Sequence, residues 1–278
     1  MESIGDKMSM GIPARIFAML LKISPSSIQN RLWKWWYQRI SKAHNKVEFR
    51  FMNYGYIDSE SPELDSSDEA YRLFIQLYHM NIRDVSLENK EVLEVGSGRG
   101  GGASWIAKTM KPSSLVGLDF SGEAVSLCNR WYEQENLDFR EGNAQDLPFQ
   151  KNSFDVVYNV ESSHCYGDMS KFVSEVFRVL KNGGNFCWTD FRDEETMEKT
   201  EKIFTDSGFS IVFKKEITQE VIQALDMIND TKKERISKLV PRTIRRSFET
   251  FAGVQGTPVY ESFKSGKLRY YRYKLIKN

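Results

Sequence analysis

The chain has 278 residues, room for one sizeable α/β domain with a lid or for two small domains, and its 40% apolar and 28% charged side chains describe an ordinary soluble globule. Thirty-nine basic against 38 acidic residues leave a formal net charge of +1, so no global field draws nucleic acid, and nucleic acid is not an expected partner. Three cysteines without paired spacing (Cys128, Cys165, Cys187) and three scattered histidines (His44, His79, His164) offer neither a disulfide frame nor a metal site; the expectation is a reducing, cytoplasmic setting and no metal.

Residues 1 to about 88 read as helical. One helix is expected near 12–23 and another near 26–43; a third is opened by Ser66-x-x-Glu69, a capping-box pattern ahead of Tyr71, Phe74, Leu77 and Tyr78. The apolar run from Ile16 is interrupted by Lys22 and stops at Ser24-Pro25, short of the roughly 20 residues a membrane span needs. No small-residue cleavage signal follows it. In the second helix, the stretch RLWKWWYQR from Arg31 to Arg39 sets Trp33, Trp36, Tyr37 and Ile40 on one face beside basic residues. Such a stripe belongs either to a lid docked on the domain or to a helix that lies on a bilayer as a peripheral membrane contact.

From Lys90 onward, short β-branched or aromatic runs alternate with helical patterns, the signature of parallel strands with crossover helices. Strands are expected at EVLEV from Glu91, SLVGLDF from Ser114, LDFREG from Leu137, FDVVYNV from Phe154, GNFCWTD from Gly184, FSIVFKKE from Phe209 and LRYYRYKLI from Leu268. Helical spacing occupies 104–108, 123–133, 169–180 and 195–205, the third ending at KNGG as a helix C-terminus prefers. The last strand alternates with basic residues and reads as antiparallel, with one solvated face. Between the last two strands, about 218–252 form a charged helical insertion broken at Pro241, whose run DTKKERISK from Asp230 reads as a solvated face. The segments outside the alternation, 1–88 as a helical lid and 218–252 within the 89–278 domain, are expected to cover the ligand-binding edge of the sheet.

The stretch VLEVGSGRGGGASW, Val92 to Trp105, places five of the 18 glycines within seven positions. Gly96-x-Gly98-x-x-Gly101 fits a dinucleotide fingerprint and equally the first loop of an S-adenosylmethionine (SAM) site. Both put a ligand on a strand-to-helix turn, where small residues let the backbone approach and free N–H groups favour an anion. Gly96, Ser97, Gly98 and Gly100 form the candidate cradle. Glu94 discriminates, because a carboxylate there repels a pyrophosphate but accepts hydrogen bonds from the ammonium end of SAM, directly or through water. Asp119 and Phe120 then offer a carboxylate to ribose and a ring to adenine. EGNAQDLPF, with Asn143 and Ala144, FDVVYNVESSHCY and VLKNGG follow in order.

This ordered series resembles the class I SAM-dependent methyltransferases from Asn89 to about Asp190. Within that superfamily VGSGRGGGAS, ESSHCY and the upstream NYGY from Asn53 are similar to the phthiotriol and phenolphthiotriol dimycocerosate methyltransferases. The resemblance implies a Rossmann-like α/β fold whose seven-stranded, mostly parallel sheet has an antiparallel last strand, with N-terminal helices and a helical insertion before that strand. It also implies SAM as cofactor, S-adenosylhomocysteine as product, and O-methylation of a hydroxyl on a lipid, polyketide or other apolar small molecule. Asn143 departs from the family, where many relatives have Asp; its amide still reaches adenine, and Ala144 still offers its N–H. Two other functions stay open: C-methylation of a terpene, sterol or quinone, and SAM binding without transfer, regulatory or pericyclase-like.

On the reacting side, His164 follows the fourth strand and is the candidate general base, a histidine near neutral pKa being able to take the acceptor's proton. Glu161 is read as orienting His164 or facing the acceptor. Asn159 is read as touching the SAM amino group through its carbonyl, and Tyr54 and Tyr56 as closing over the methionine end. Each has a bland counterpart: a loop-bonding histidine, a carboxylate for nearby backbone N–H groups, and aromatic packing.

Overall fold

In the computed structural model, residues 50–240, 242 and 245–278 are described. The helices expected near 12–23 and 26–43, the Arg31 to Arg39 stretch and Pro241 lie outside them. Seven strands, β1 (Glu91–Val95), β2 (Ser114–Asp119), β3 (Leu137–Glu141), β4 (Phe154–Val160), β5 (Leu180–Arg192), β6 (Phe209–Glu216) and β7 (Arg269–Lys277), form one sheet in the order β3-β2-β1-β4-β5-β7-β6. The pairs among β1 to β5 are parallel, and β7 runs antiparallel to both β5 and β6.

β7 therefore sits inside the sheet, and the expected solvated face is absent. Two of its four basic side chains are taken up internally: Arg272, 1% exposed, pairs with Asp84 at 2.5 Å, and Lys277 donates to the Leu180 carbonyl at 2.6 Å. The other difference lies at KNGG. β5 begins at Leu180, directly after the helix, so the two glycines belong to a strand entry whose register slips between Phe154 and Val156.

The helices are α1 (Arg72–Ile82), α2 (Gly101–Met110), α3 (Gly122–Trp131), α4 (Met169–Val179), α5 (Glu194–Asp206), α6 (Thr218–Leu239), α7 (Arg245–Phe251) and α8 (Pro258–Lys264). Local chemistry starts three of them. Ser121, Asp168 and Asp193 accept the N–H groups of Ala124, Lys171 and Thr196, satisfying donors that the first helical turn leaves unpaired. The capping box at Ser66 does not form. A 3-10 turn, Glu69–Tyr71, leads into α1, and Glu69 pairs with Arg72 instead.

Because both faces of the sheet are covered, β1 and β4 are near-continuous apolar runs. One layer joins Ile75, Leu77 and Met80 of α1 to Trp105 and Ile106 of α2; the other holds Phe172 and Val176 of α4 and Phe204 of α5. A third cluster, Ile236, Val240 and Val254 with Phe248, ties α6 to the α7 region. In this strand order the chain runs from β1 through β2 to β3 on one side and then crosses to β4 on the other, so the sheet has its switch point between β1 and β4, and a crevice opens beyond their carboxyl ends.

Candidate active site

The crevice holds a cavity of about 1270 Å³ including its open mouth. Of the residues singled out in the sequence, Tyr54, Gly96, Ser97, Gly98, Asp119, Phe120, Asn143, Ala144, Glu161 and His164 line it. The structure brings these ten together from five separate segments. Glu94, Gly100, Tyr56 and Asn159 stand behind the wall.

The glycines divide by task. A Cβ on Gly96 would stand 2.2 Å from Ser162 Oγ, and one on Gly100 2.7 Å from the Phe139 ring, so both are needed for packing. At Gly102 it would meet the Tyr78 ring at 2.1 Å. Only around Gly98, with φ +53°, is there room: the nearest atom is Met52 Sδ at 3.7 Å. Gly98 is thus the glycine of this turn whose missing side chain leaves ligand space.

Glu94 is fully buried and accepts hydrogen bonds from the Tyr78 and Tyr158 hydroxyls, at 3.0 and 3.1 Å. Burial pushes its carboxyl up to about 7. Tyr78, which donates to Glu94, itself lines the cavity. Asn159 is likewise a strut, its amide tying the end of β1 (Val95 carbonyl, 2.7 Å) to Ser162 Oγ at 2.6 Å. Tyr56 is 2% exposed and anchored by its N–H to the Leu73 carbonyl.

Asp119 accepts the N–H of Gly98 through one carboxylate oxygen and that of Ser121 through the other, each at 2.8 Å, and burial pushes it up to about 6. With three backbone N–H groups on it, the carboxylate still keeps acceptor capacity for a further donor. Phe120 is 41% exposed beside it.

At the reacting end, β4 exits through Glu161, a non-glycine residue at φ +47°, into the short turn Ser163–Cys165. Glu161 Oε1 accepts the Tyr54 N–H at 2.8 Å, and burial pushes this carboxyl up to about 7. The partner of His164 is not Glu161 but Asp190, at the end of β5. His164 Nδ1 lies 2.8 Å from Asp190 Oδ1, and the His164 and Phe191 N–H groups also bind that carboxylate at 2.9 Å. Asp190 is fully buried; burial works against its charge, but Arg192 and His164 hold it well below the usual carboxylate range. As a carboxylate it only accepts, so His164 carries its proton on Nδ1, leaving Nε2 for other work. Burial disfavours the imidazolium, yet Cys165 and Asp190 override it and hold the ring well above the usual histidine range.

Sequence reasoning missed Asp190, Arg50, Met52, Asn53, Arg99, Ser162, Cys165, Tyr166 and Phe251 on or behind this wall. A signal for Asp190 existed: it closes GNFCWTD, at the same sheet edge as the His164 turn.

A family profile described as a methyltransferase domain matches residues 93–188. Over 95% of its length the chain is 34% identical to the phthiotriol/phenolphthiotriol dimycocerosates methyltransferase of Mycobacterium leprae (strain TN), 98% of which is covered. The chain belongs to the class I SAM-dependent methyltransferases. This methyltransferase is also 36% identical, over 82% of its own chain and 83% of the relative, to a fatty-acid O-methyltransferase of Mycolicibacterium smegmatis (strain ATCC 700084 / mc(2)155). Its fold matches the geranyl diphosphate C-methyltransferase of Streptomyces coelicolor A3(2), solved with Mg2+, geranyl diphosphate and S-adenosylhomocysteine. The TM-score is 0.64 at 16% identity, covering 87% of this chain and 98% of that one.

The methyltransferase's cavity fits SAM on its own terms. Ser97 Oγ is buried on the wall without a protein partner, Gly98 leaves room for close approach, and Asp119 has acceptor capacity for hydroxyls. Among the described residues no helix is long and apolar enough to cross a membrane.

Proposed function

We propose that this methyltransferase O-methylates a hydroxyl of a lipid or other apolar small molecule, with His164 as general base. The observation that carries the reading is the His164–Asp190 contact at the cavity wall: a buried carboxylate fixes the proton on Nδ1, so Nε2 is the acceptor in the neutral form of the ring, a form that the raised pKa confines to the alkaline side of the usual histidine range. Gly96, Ser97, Gly98, Asp119, Phe120, Asn143 and Ala144 would hold SAM, which would supply a sulfonium methyl: the acceptor oxygen bonds to the methyl carbon in line as its bond to sulfur breaks, and the neutral thioether is the leaving group. His164 Nε2 takes the hydroxyl proton as the O–CH₃ bond forms. Glu161 faces the acceptor, while Tyr54 closes over the methionine end of SAM and holds the wall against water.

The relatives named for a phthiotriol-type lipid and for fatty acids support an apolar acceptor. So does Phe251, which α7 brings to the cavity from the helical insertion. In this reading residues 1–88 act as a lid, and the aromatic and basic stretch from Arg31 to Arg39 adds peripheral membrane contact to a cytoplasmic protein. Loss of co-sedimentation with anionic vesicles in a Trp33→Ala/Trp35→Ala/Trp36→Ala variant checks the last point; wild-type protein that ignores vesicles refutes it.

The deciding experiment incubates the protein with methyl-labelled SAM and a fractionated lipid extract. Label recovered as a methyl ether supports the proposal; label in a methyl ester, whose carboxylate acceptor has no proton for His164 to take, label on carbon, or none in any fraction, overturns it. His164→Ala should lower kcat by about 10²–10⁴-fold while sparing SAM affinity. More than about a third of the wild-type kcat would return His164 to a structural role.

A further inference from the structure

Asp190 has two cationic neighbours, and the proposed chemistry accounts for only one of them. Arg192, 8% exposed, lies on the same strand, with one guanidinium nitrogen 3.2 Å from Asp190 Oδ2 and another 2.9 Å from Ser163 Oγ. Ser163 in turn donates to Asp190 Oδ2 at 2.7 Å and accepts from Trp188 Nε1 at 2.8 Å. The guanidinium lies over the Trp188 ring, 5.4 Å from its centroid. This frame holds a positive charge against the far oxygen of the carboxylate whose near oxygen holds the imidazole.

Charge counting gives the frame a purpose. An unbalanced charge in a buried site costs several kcal/mol, roughly. With Arg192 present, Asp190 already has a counter-ion, so His164 can give up its proton and leave the cluster neutral, even though Asp190 holds that proton more tightly than a free imidazole would. Without it, Asp190 is balanced only when His164 is protonated, and a protonated ring is no base. We propose that Arg192 is a positioning residue for proton acceptance: by sharing the Asp190 carboxylate, it limits how tightly His164 holds its proton.

The inference rests on the base reading above for its functional consequence, but the charge sharing can be measured without turnover. The other groups facing His164 are Glu161 at the end of β4, Cys165 in its own turn and Tyr54 from the N-terminal segment, with Lys232 of α6 acting through Glu161. None of them touches Asp190 Oδ2, so a change at Arg192 acts on Asp190 first.

The test is an NMR titration of the histidine imidazoles in the full-length protein, with His164 assigned by its loss in His164→Ala. Arg192→Met and Arg192→Gln remove the charge, the second keeping a donor for Ser163 should the first fail to fold. In either, the His164 titration should move up by about one pH unit or more, as removal of a neighbouring positive charge predicts. Arg192→Lys should stay close to wild type. SAM affinity and thermal melting report that the fold is intact. A His164 ring that titrates at the wild-type pH in a folded, uncharged variant overturns the inference. If the ring shifts while the acid limb of kcat does not, charge sharing stands and the base reading of His164 falls.

Discussion

Gly98→Val separates ligand space from structural need in the glycine turn. Gly98 has φ +53°, a region that costs an L-residue roughly 1–2 kcal/mol, and valine adds a stiff branched side chain. Its Cβ would meet nothing closer than Met52 Sδ at 3.7 Å, so backbone strain is the whole penalty to the fold. For a chain of this size about 1–2 kcal/mol lowers Tm by only about 2–8 °C. The γ-methyls, however, project into the cavity, and loss of close backbone approach should weaken SAM by at least about 100-fold, or about 2.7 kcal/mol. Gly96→Val is the control. Its Cβ would stand 2.2 Å from Ser162 Oγ and 2.8 Å from the Tyr166 hydroxyl, so that variant should lose fold and binding together. Calorimetric titration beside thermal melting checks both; a folded Gly98→Val with wild-type SAM affinity refutes the assignment.

Asp190→Asn removes the charge that raises the His164 ring, so the acid limb of kcat against pH should move to lower pH while the plateau falls by about 10²–10⁴-fold; an unmoved limb breaks the link between the two residues. Glu94, raised by burial from 4.5 to about 7, binds more protons folded than unfolded between those values. Its contribution therefore makes stability fall as pH rises through that window and level off above it, by up to about 3 kcal/mol. Urea melts should show Glu94→Gln gaining on wild type across that window, and a difference independent of pH would contradict the buried charge. Phe251→Ala should raise KM for an apolar acceptor by about 10-fold with SAM affinity unchanged, and the reverse pattern would move Phe251 to the cofactor end.

β1, β2 and β4 were legible because each is a short apolar run bounded by a turn signal, and parallel strands buried on both faces have little freedom to look otherwise. What misled was β7, whose alternating basic residues look like a wetted face. The sequence pattern records charge but not partner, and Asp84, which meets Arg272, lies far from it in the chain. Ser66 failed as a cap for a related reason: the pattern S-x-x-E is local, and Glu69 found Arg72 within the same turn.

At the site, legibility followed distance along the chain. Ser97, Gly98, Asp119 and Ala144 belong to compact motifs at the ends of consecutive strands, so their meeting is implied by a parallel sheet. Glu94 and Asn159 also sit in those motifs, but inside strands, where their buried side chains bond to the wall residues Tyr78, Ser162 and Tyr166. The His164–Asp190 pair shows the opposite failure. Nothing near residue 164 announces a carboxylate 26 positions later, yet β4 and β5 are neighbours in parallel, with Val160 opposite Thr189. Parallel pairing brings both strand exits to one edge, so a histidine just beyond β4 has the end of β5 within reach. In such a sheet the partner of a residue beyond one strand is best sought at the carboxyl end of the neighbouring strand, whatever the sequence separation.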